Sequence, residues 1–128
     1  MSHIYRSGLQ ALLDSSLAWE TADIRAALLG AGYAFSDGHR TFQDVLRWAA
    51  GTSDPLPDRS VEDLTAACGA TYVLASREAR CAGVAVYNHK TGALIAYSPI
   101  APVHPVLGQR VDVSWPDGAV FSLRPAEE

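Results

Sequence analysis

The chain has 128 residues, enough for one domain with a real core and too few for two ordinary ones. Hydrophobic residues make up 48% and charged residues 19%, which excludes the balance of a disordered chain. Fourteen acids against ten bases, of which only Lys90 is a lysine, give a formal charge of −4 and exclude broad attraction to a nucleic acid backbone.

The opening Met-Ser-His-Ile-Tyr-Arg lacks the apolar run of a signal peptide, and no stretch approaches the ~20 apolar residues needed to cross a bilayer. A soluble protein made in the cytoplasm is expected. In chain order, Tyr5, Leu9, Leu12 and Leu13 recur at helical spacing, so residues 5–14 are predicted to form a short helix packing that face on a core, loosened by Ser15 and Ser16. Residues 21–29, followed by Gly30, have the alanines, leucines and closing glycine of a capped helix, although Ile24, Ala26 and Leu28 also alternate. Periodicity alone favours the helix.

Thr41 and Asp44 form a capping-box pair, and Phe42, Val45, Leu46 and Ala49 follow at helical spacing, predicting a second helix that ends at Gly51. Residues 51–59, with Pro55 and Pro57, read as a loop. Residues 60–68 fit a helix capped by Ser60 and Asp63 or a strand equally well, and the local pattern leaves both open.

Residues 84–87 and 93–97 flank a turn in which Gly92 can take a positive φ, predicting a hairpin. Pro99, Pro102 and Pro105 make residues 98–108 an extended surface loop, a candidate partner contact. Val111, Val113 and Trp115 alternate with Asp112 and Ser114, and after a turn at 116–118 Ala119, Phe121 and Leu123 alternate again, predicting a second hairpin. The last five residues read as a solvated tail.

Chemistry-bearing residues are scattered. Cys81 is the conceivable nucleophile, with His89 and Asp37 as notional partners, but a reactive thiol needs an electropositive, partly exposed setting that Arg77 and Arg80 supply only weakly. Cys68 and Cys81 are expected to be buried or neutral free thiols, since two cysteines make no disulfide framework and lack zinc-site spacing. His3, His39, His89 and His104 form no i, i+4 pair, which argues against a metal. The acidic neighbours Glu20 with Asp23 and Glu62 with Asp63 are expected to be solvated, as are Arg25, Arg77 and Arg80. Gly30 and Gly32 stop short of a dinucleotide-binding GxGxxG. Trp19 and Trp115 are expected in the core, and Trp48 is left as a candidate recognition residue.

Several segments, taken in order, resemble a known family. Tyr5, Gly8, Leu13, Trp19, Ile24-Arg25-Ala26-Ala27-Leu28-Leu29, Tyr33-Ala34-Phe35-Ser36, His39 and Phe42-Gln43-Asp44-Val45 are similar to the opening of a family of small structural proteins of tailed-bacteriophage virions. Val84-Ala85-Val86-Tyr87, Leu94-Ile95-Ala96-Tyr97, Val111-Asp112-Val113-Ser114-Trp115, Asp117-Gly118 and Phe121-Ser122-Leu123 resemble its later strands. The likeness covers about three quarters of the chain and is weakest over residues 52–82; residues 99–108 depart from it.

The resemblance implies a strand at residues 24–29, reversing the helical reading, and a β-rich α+β fold: one domain, a small antiparallel sandwich or partly open barrel with one or two short helices. It implies a non-enzymatic virion protein without cofactor, metal, direct nucleic-acid or membrane contact. A compact acidic domain without coiled-coil heptads fits a repeated surface subunit better than a fibre shaft. The expected role is therefore capsid decoration on the major capsid protein, ahead of a tail or head-to-tail connector subunit, and ahead of a soluble acidic adaptor or inhibitor. Self-association of copies is compatible with any of these. Loop placement nominates Trp48, Pro99, Pro102, His104 and Pro105 as the partner interface.

Overall fold

The computed structural model describes residues 3–13, 18–62, 65–115 and 118–122. The elements run β1 (His3–Ile4), α1 (Arg6–Leu13), β2 (Ile24–Gly30), α2 (Phe42–Val45) with a 3-10 turn (Leu46–Trp48), β3 (Ala49–Thr52), β4 (Ser60–Glu62) and β5 (Thr65–Ala67). They continue with β6 (Thr71–Leu74), β7 (Cys81–Asn88), β8 (Leu94–Val103), β9 (Arg110–Val113) and β10 (Ala119–Ser122). This is a small β-rich α+β fold: among the described residues every pairing is antiparallel, the sheets are several, and no barrel closes.

A five-stranded sheet of order β1-β8-β7-β2-β3 forms the middle layer. Strand β2 lies near its centre and is covered on both sides: Ile24, Ala26 and Leu28 enter one core, Ala27 and Leu29 the other. A strand covered on both sides is apolar nearly throughout, and here only the half-buried Arg25, paired with Asp23, interrupts the run. The first core is roofed by the three-stranded sheet β10-β5-β4 and the ribbon β6-β9, through Ala66, Val73, Val113, Val120 and Phe121. Trp19 meets Phe121 edge-on with centroids 5.5 Å apart and donates Nε1–H to the Ala67 carbonyl at 3.0 Å. Trp115 is buried and donates to Ser98 Oγ at 3.1 Å, so both tryptophans are core residues whose polar tips are satisfied.

The second core is closed by α1, α2 and the segment between β2 and α2, with Tyr5, Tyr33 and Val45 against Ala85, Tyr87, Leu94 and Tyr97. Helix α1 reaches β8 through its smallest residue: a Cβ on Gly8 would stand 2.5 Å from the Ile95 carbonyl oxygen. Ser7 Oγ donates to the Leu94 carbonyl at 2.7 Å and Tyr5 N–H to that of Ile95 at 3.0 Å. Leu9 and Leu13, expected on the buried face, are exposed, because close approach to the sheet turns the Tyr5–Gly8 side inward.

Helix α2 starts as its capping box requires: the Asp44 carboxylate accepts from the N–H groups of Arg40 at 2.8 Å and Thr41 at 3.1 Å. It ends earlier than expected, since Ala49 and Gly51 belong to β3. Gly51, at φ +145°, passes so close to Leu74 that a Cβ would lie 2.6 Å from its carbonyl oxygen. The loop expected over 51–59 therefore begins only after Thr52. The open segment 60–68 is strand, β4 pairing with β5; Asp63 and Leu64 lie outside the described residues.

The β7–β8 hairpin turns as expected at Gly92, φ +81°, with Asn88 Oδ1 accepting from Lys90 and Thr91. A bulge makes Ile95 an extra residue between the pairs Tyr87–Leu94 and Val86–Ala96. Ile95 and Ala96 consequently face one core while Leu94 and Tyr97 face the other.

The hairpin expected from residues 111–123 is not formed. Gly118 N–H does close a turn onto the Trp115 carbonyl, but β9 pairs with β6 and β10 with β5, because the chain crosses to a different sheet there. Pro116, Asp117 and Leu123, like Ser15, Ser16 and the C-terminal tail, lie outside the described residues.

Candidate partner interface

The stretch expected as the loop 98–108 is for its first part strand: β8 continues through Val103, with Pro99 opposite Gly83 and Val103 opposite Cys81. Two prolines are tolerated because β8 is an edge here. Its outer neighbour β1 reaches only Ala96 and Tyr97, and among the described residues no strand lies along the outer side of residues 99–103. Pro99, Ala101 and Pro102 are exposed there, while Ile100 and Val103 lean on the first core. Prolines remove backbone donors, so this edge offers side-chain surface and resists addition of a further strand.

Beyond Val103 the chain folds into a tight turn before β9. Val106 N–H donates to Gln109 Oε1 at 3.0 Å, and Gly108, at φ +83°, donates to the Ala75 carbonyl at 2.8 Å. A cleft of about 400 Å³ separates the end of β8 from β9, between Val103, His104, Arg110 and Asp112. His104 Nε2 stands 3.5 Å from Glu78 Oε2, both side chains more than half exposed. At the turn's tip Val106 and Leu107 are exposed, and on the adjoining ribbon so are Tyr72 and Leu74.

Three of the five nominated interface residues, Pro99, Pro102 and His104, thus lie on one exposed edge. Pro105 does not serve as nominated: it is among the fully buried side chains and pins the turn to the body. Trp48 sits across the main sheet from them, half-buried against the second core, edge-on to Tyr33 with centroids 5.2 Å apart and under the Arg47 guanidinium at 5.0 Å. Sequence reasoning missed Tyr72, Leu74, Val106 and Leu107. The signal was present in residues 71–74, where the outward positions of β6, Tyr72 and Leu74, are apolar instead of polar.

The conceivable catalytic residues are held apart by other partners. Cys81 is buried at the start of β7, its thiol faces the Ala79 carbonyl, and burial raises its pKa against the weaker opposing pull of Arg77. Cys68 is pushed up to about 11 by burial, so neither free thiol is activated. His89 lies beside Tyr87 and Asp37 pairs with Arg6 at 3.5 Å. Asp23 is held below its ordinary range by hydrogen bonds from Arg25, at 2.9 and 3.2 Å. Among the described residues no three His, Cys, Asp or Glu side chains converge to hold a metal ion. No helix among them is long and apolar enough to cross a membrane.

No family model, curated protein or solved structure matches this chain.

Proposed function

We propose that this protein is a non-enzymatic structural subunit of a tailed-phage virion, most simply a capsid-decorating subunit docked on the major capsid protein. Two things support the reading: the ordered likeness of its strands to that family, and the edge of β8. The observation that carries it is that β8 outruns β1, leaving residues 99–103 as an exposed, proline-guarded edge held rigid by the main sheet. An edge of this kind docks through the faces of Pro99, Ala101, Pro102 and His104 without inviting open-ended strand pairing. Each such contact is small, and repetition over a lattice gives many modest interfaces their combined strength.

The test is cryo-electron microscopy of purified particles from the source. Density for this chain repeated over the icosahedral shell, with residues 99–104 at the contact, is the expected result. Density restricted to the portal vertex or tail makes it a connector or tail subunit instead. Absence from particles overturns the virion role and leaves a soluble acidic adaptor that blocks a basic partner.

A further inference from the structure

We infer that the outer face of the β6–β9 ribbon is a docking surface for a second copy of this chain, related to the first by a two-fold axis. The register fixes which residues the face carries. Tyr72 pairs with Asp112, Val73 with Val111 and Leu74 with Arg110. Val73 and Val113 are buried inward, which leaves Tyr72, Leu74, Arg110 and Asp112 outward. The turn before β9 adds Val106 and Leu107, fixed beside the ribbon by the hydrogen bonds of Gly108 to Ala75 and of Ala75 to Gln109, at 2.8 and 2.9 Å. Leu107 is 72% exposed and Leu74 54%, and four of the eight exposed large apolar residues among those described lie on this ribbon and the turn beside it. Single exposed apolar residues are ordinary, whereas a contiguous group on a rigid ribbon marks a contact.

Charge selects the occupant. Arg110 Nε lies 2.9 Å from Asp112 Oδ1 and its guanidinium 4.2 Å above the Tyr72 ring, so one cation and one anion stand side by side on a chain of net charge −4. A strongly basic or acidic partner finds no complementary field there. A second copy does. An axis crossing the ribbon at the level of the Val73–Val111 pair reverses the strand direction and lays β9 over β9 and β6 over β6. Arg110 then meets Asp112 of the second copy, and Tyr72 meets Leu74, each contact occurring twice as an isologous interface requires. The face adjoins the β8 edge across the cleft between His104 and Arg110, but it is built from its own residues, so this association does not depend on the virion reading.

Sedimentation equilibrium of the full chain over a wide concentration range tests it, with circular dichroism melting as the control for folding. The wild type is expected to dimerise reversibly, and Leu74→Asp to abolish the dimer while remaining folded, since the side chain faces solvent in the monomer. Arg110→Asp sets two carboxylates against Asp112 of each partner and is expected to weaken association by about tenfold or more. Arg110→Asp combined with Asp112→Arg restores it. A wild type monomeric throughout, a dimer unmoved by Leu74→Asp, or a double variant no better than Arg110→Asp alone overturns the proposal.

Discussion

Replacing Gly8 by alanine decides whether α1 sits on β8 as described, because the two relevant effects have opposite signs. Within a helix, glycine to alanine ordinarily stabilises by about 1 kcal/mol, since alanine has less backbone freedom to lose and a better helix propensity. Here the new methyl would stand 2.5 Å from the Ile95 carbonyl oxygen and 3.0 Å from its Cα, against 3.4 Å or more for ordinary contact. The obstacle is sheet backbone, so the helix must retreat by roughly 1 Å. That retreat stretches the 2.7 Å bond from Ser7 to the Leu94 carbonyl and the 3.0 Å bond from Tyr5 to that of Ile95 beyond useful length. Two lost hydrogen bonds at ~1 kcal/mol each, set against the propensity gain of about 1 kcal/mol and added to an overpacking cost of about 1–3 kcal/mol, leave a net destabilisation of about 2–4 kcal/mol. For a chain of this length that lowers the melting temperature by about 7–15 °C. Urea unfolding followed by tryptophan fluorescence measures it directly. A variant as stable as the wild type, or more so, refutes the packing of α1 on β8.

Tyr33→Phe removes the hydroxyl that links the fully buried Tyr5 hydroxyl, at 2.7 Å, to His39 Nδ1, at 2.9 Å, and stranding Tyr5 is expected to cost about 1–3 kcal/mol. Adding Tyr5→Phe removes the stranded group, so the double variant is expected to be less destabilised than the sum of the single ones in urea melts; additivity would contradict the bond. Asp44 is held below 3.8 by the N–H groups of Arg40 and Thr41, so its stabilisation is complete above that value and is lost as the pH falls through the lowered folded one. Asp44→Asn should therefore lower stability at neutral pH by ~1 kcal/mol and flatten the decline between about pH 5 and pH 2; an unchanged slope counts against the capping box. Pro99→Thr with Pro102→Thr restores two backbone donors on the free edge and is expected to speed aggregation, read by light scattering at matched concentration; no change would mean the edge is covered by something other than its prolines.

The legible parts of the fold were those with local chemistry. Gly92 announced the β7–β8 turn and Thr41 with Asp44 announced α2, because each motif is satisfied by neighbours a few residues away. Residues 24–29 were ambiguous for a physical reason: a strand covered on both faces, with Arg25 its one polar residue, has too little polar side to set a period of two, so alanine and leucine read as helix until the family likeness supplied the strand. The 111–123 hairpin was misread because a turn at Gly118 is visible in sequence while the destination of each strand is not. Pro99 and Pro102 pointed correctly to an exposed boundary and wrongly to a loop, since an edge strand satisfies the same constraint. Pro105 failed as an interface candidate because the direction of a side chain at the end of an element depends on tertiary packing.

The docking of α1 on β8 also dictates the order in which a growing chain can become native. Ser7 and the Leu94 carbonyl it bonds are separated by 87 residues, and β2 lies beside β7, which is likewise made late. On the ribosome β2 meets only β3 at first, with Ile24 and Leu28 bare on one side and Leu29 on the other. Long-range closure of this kind is slow. The first half of the chain is thus a client of the second until β8 emerges, and translation products that stop before Leu94 are natural substrates for chaperones and proteases.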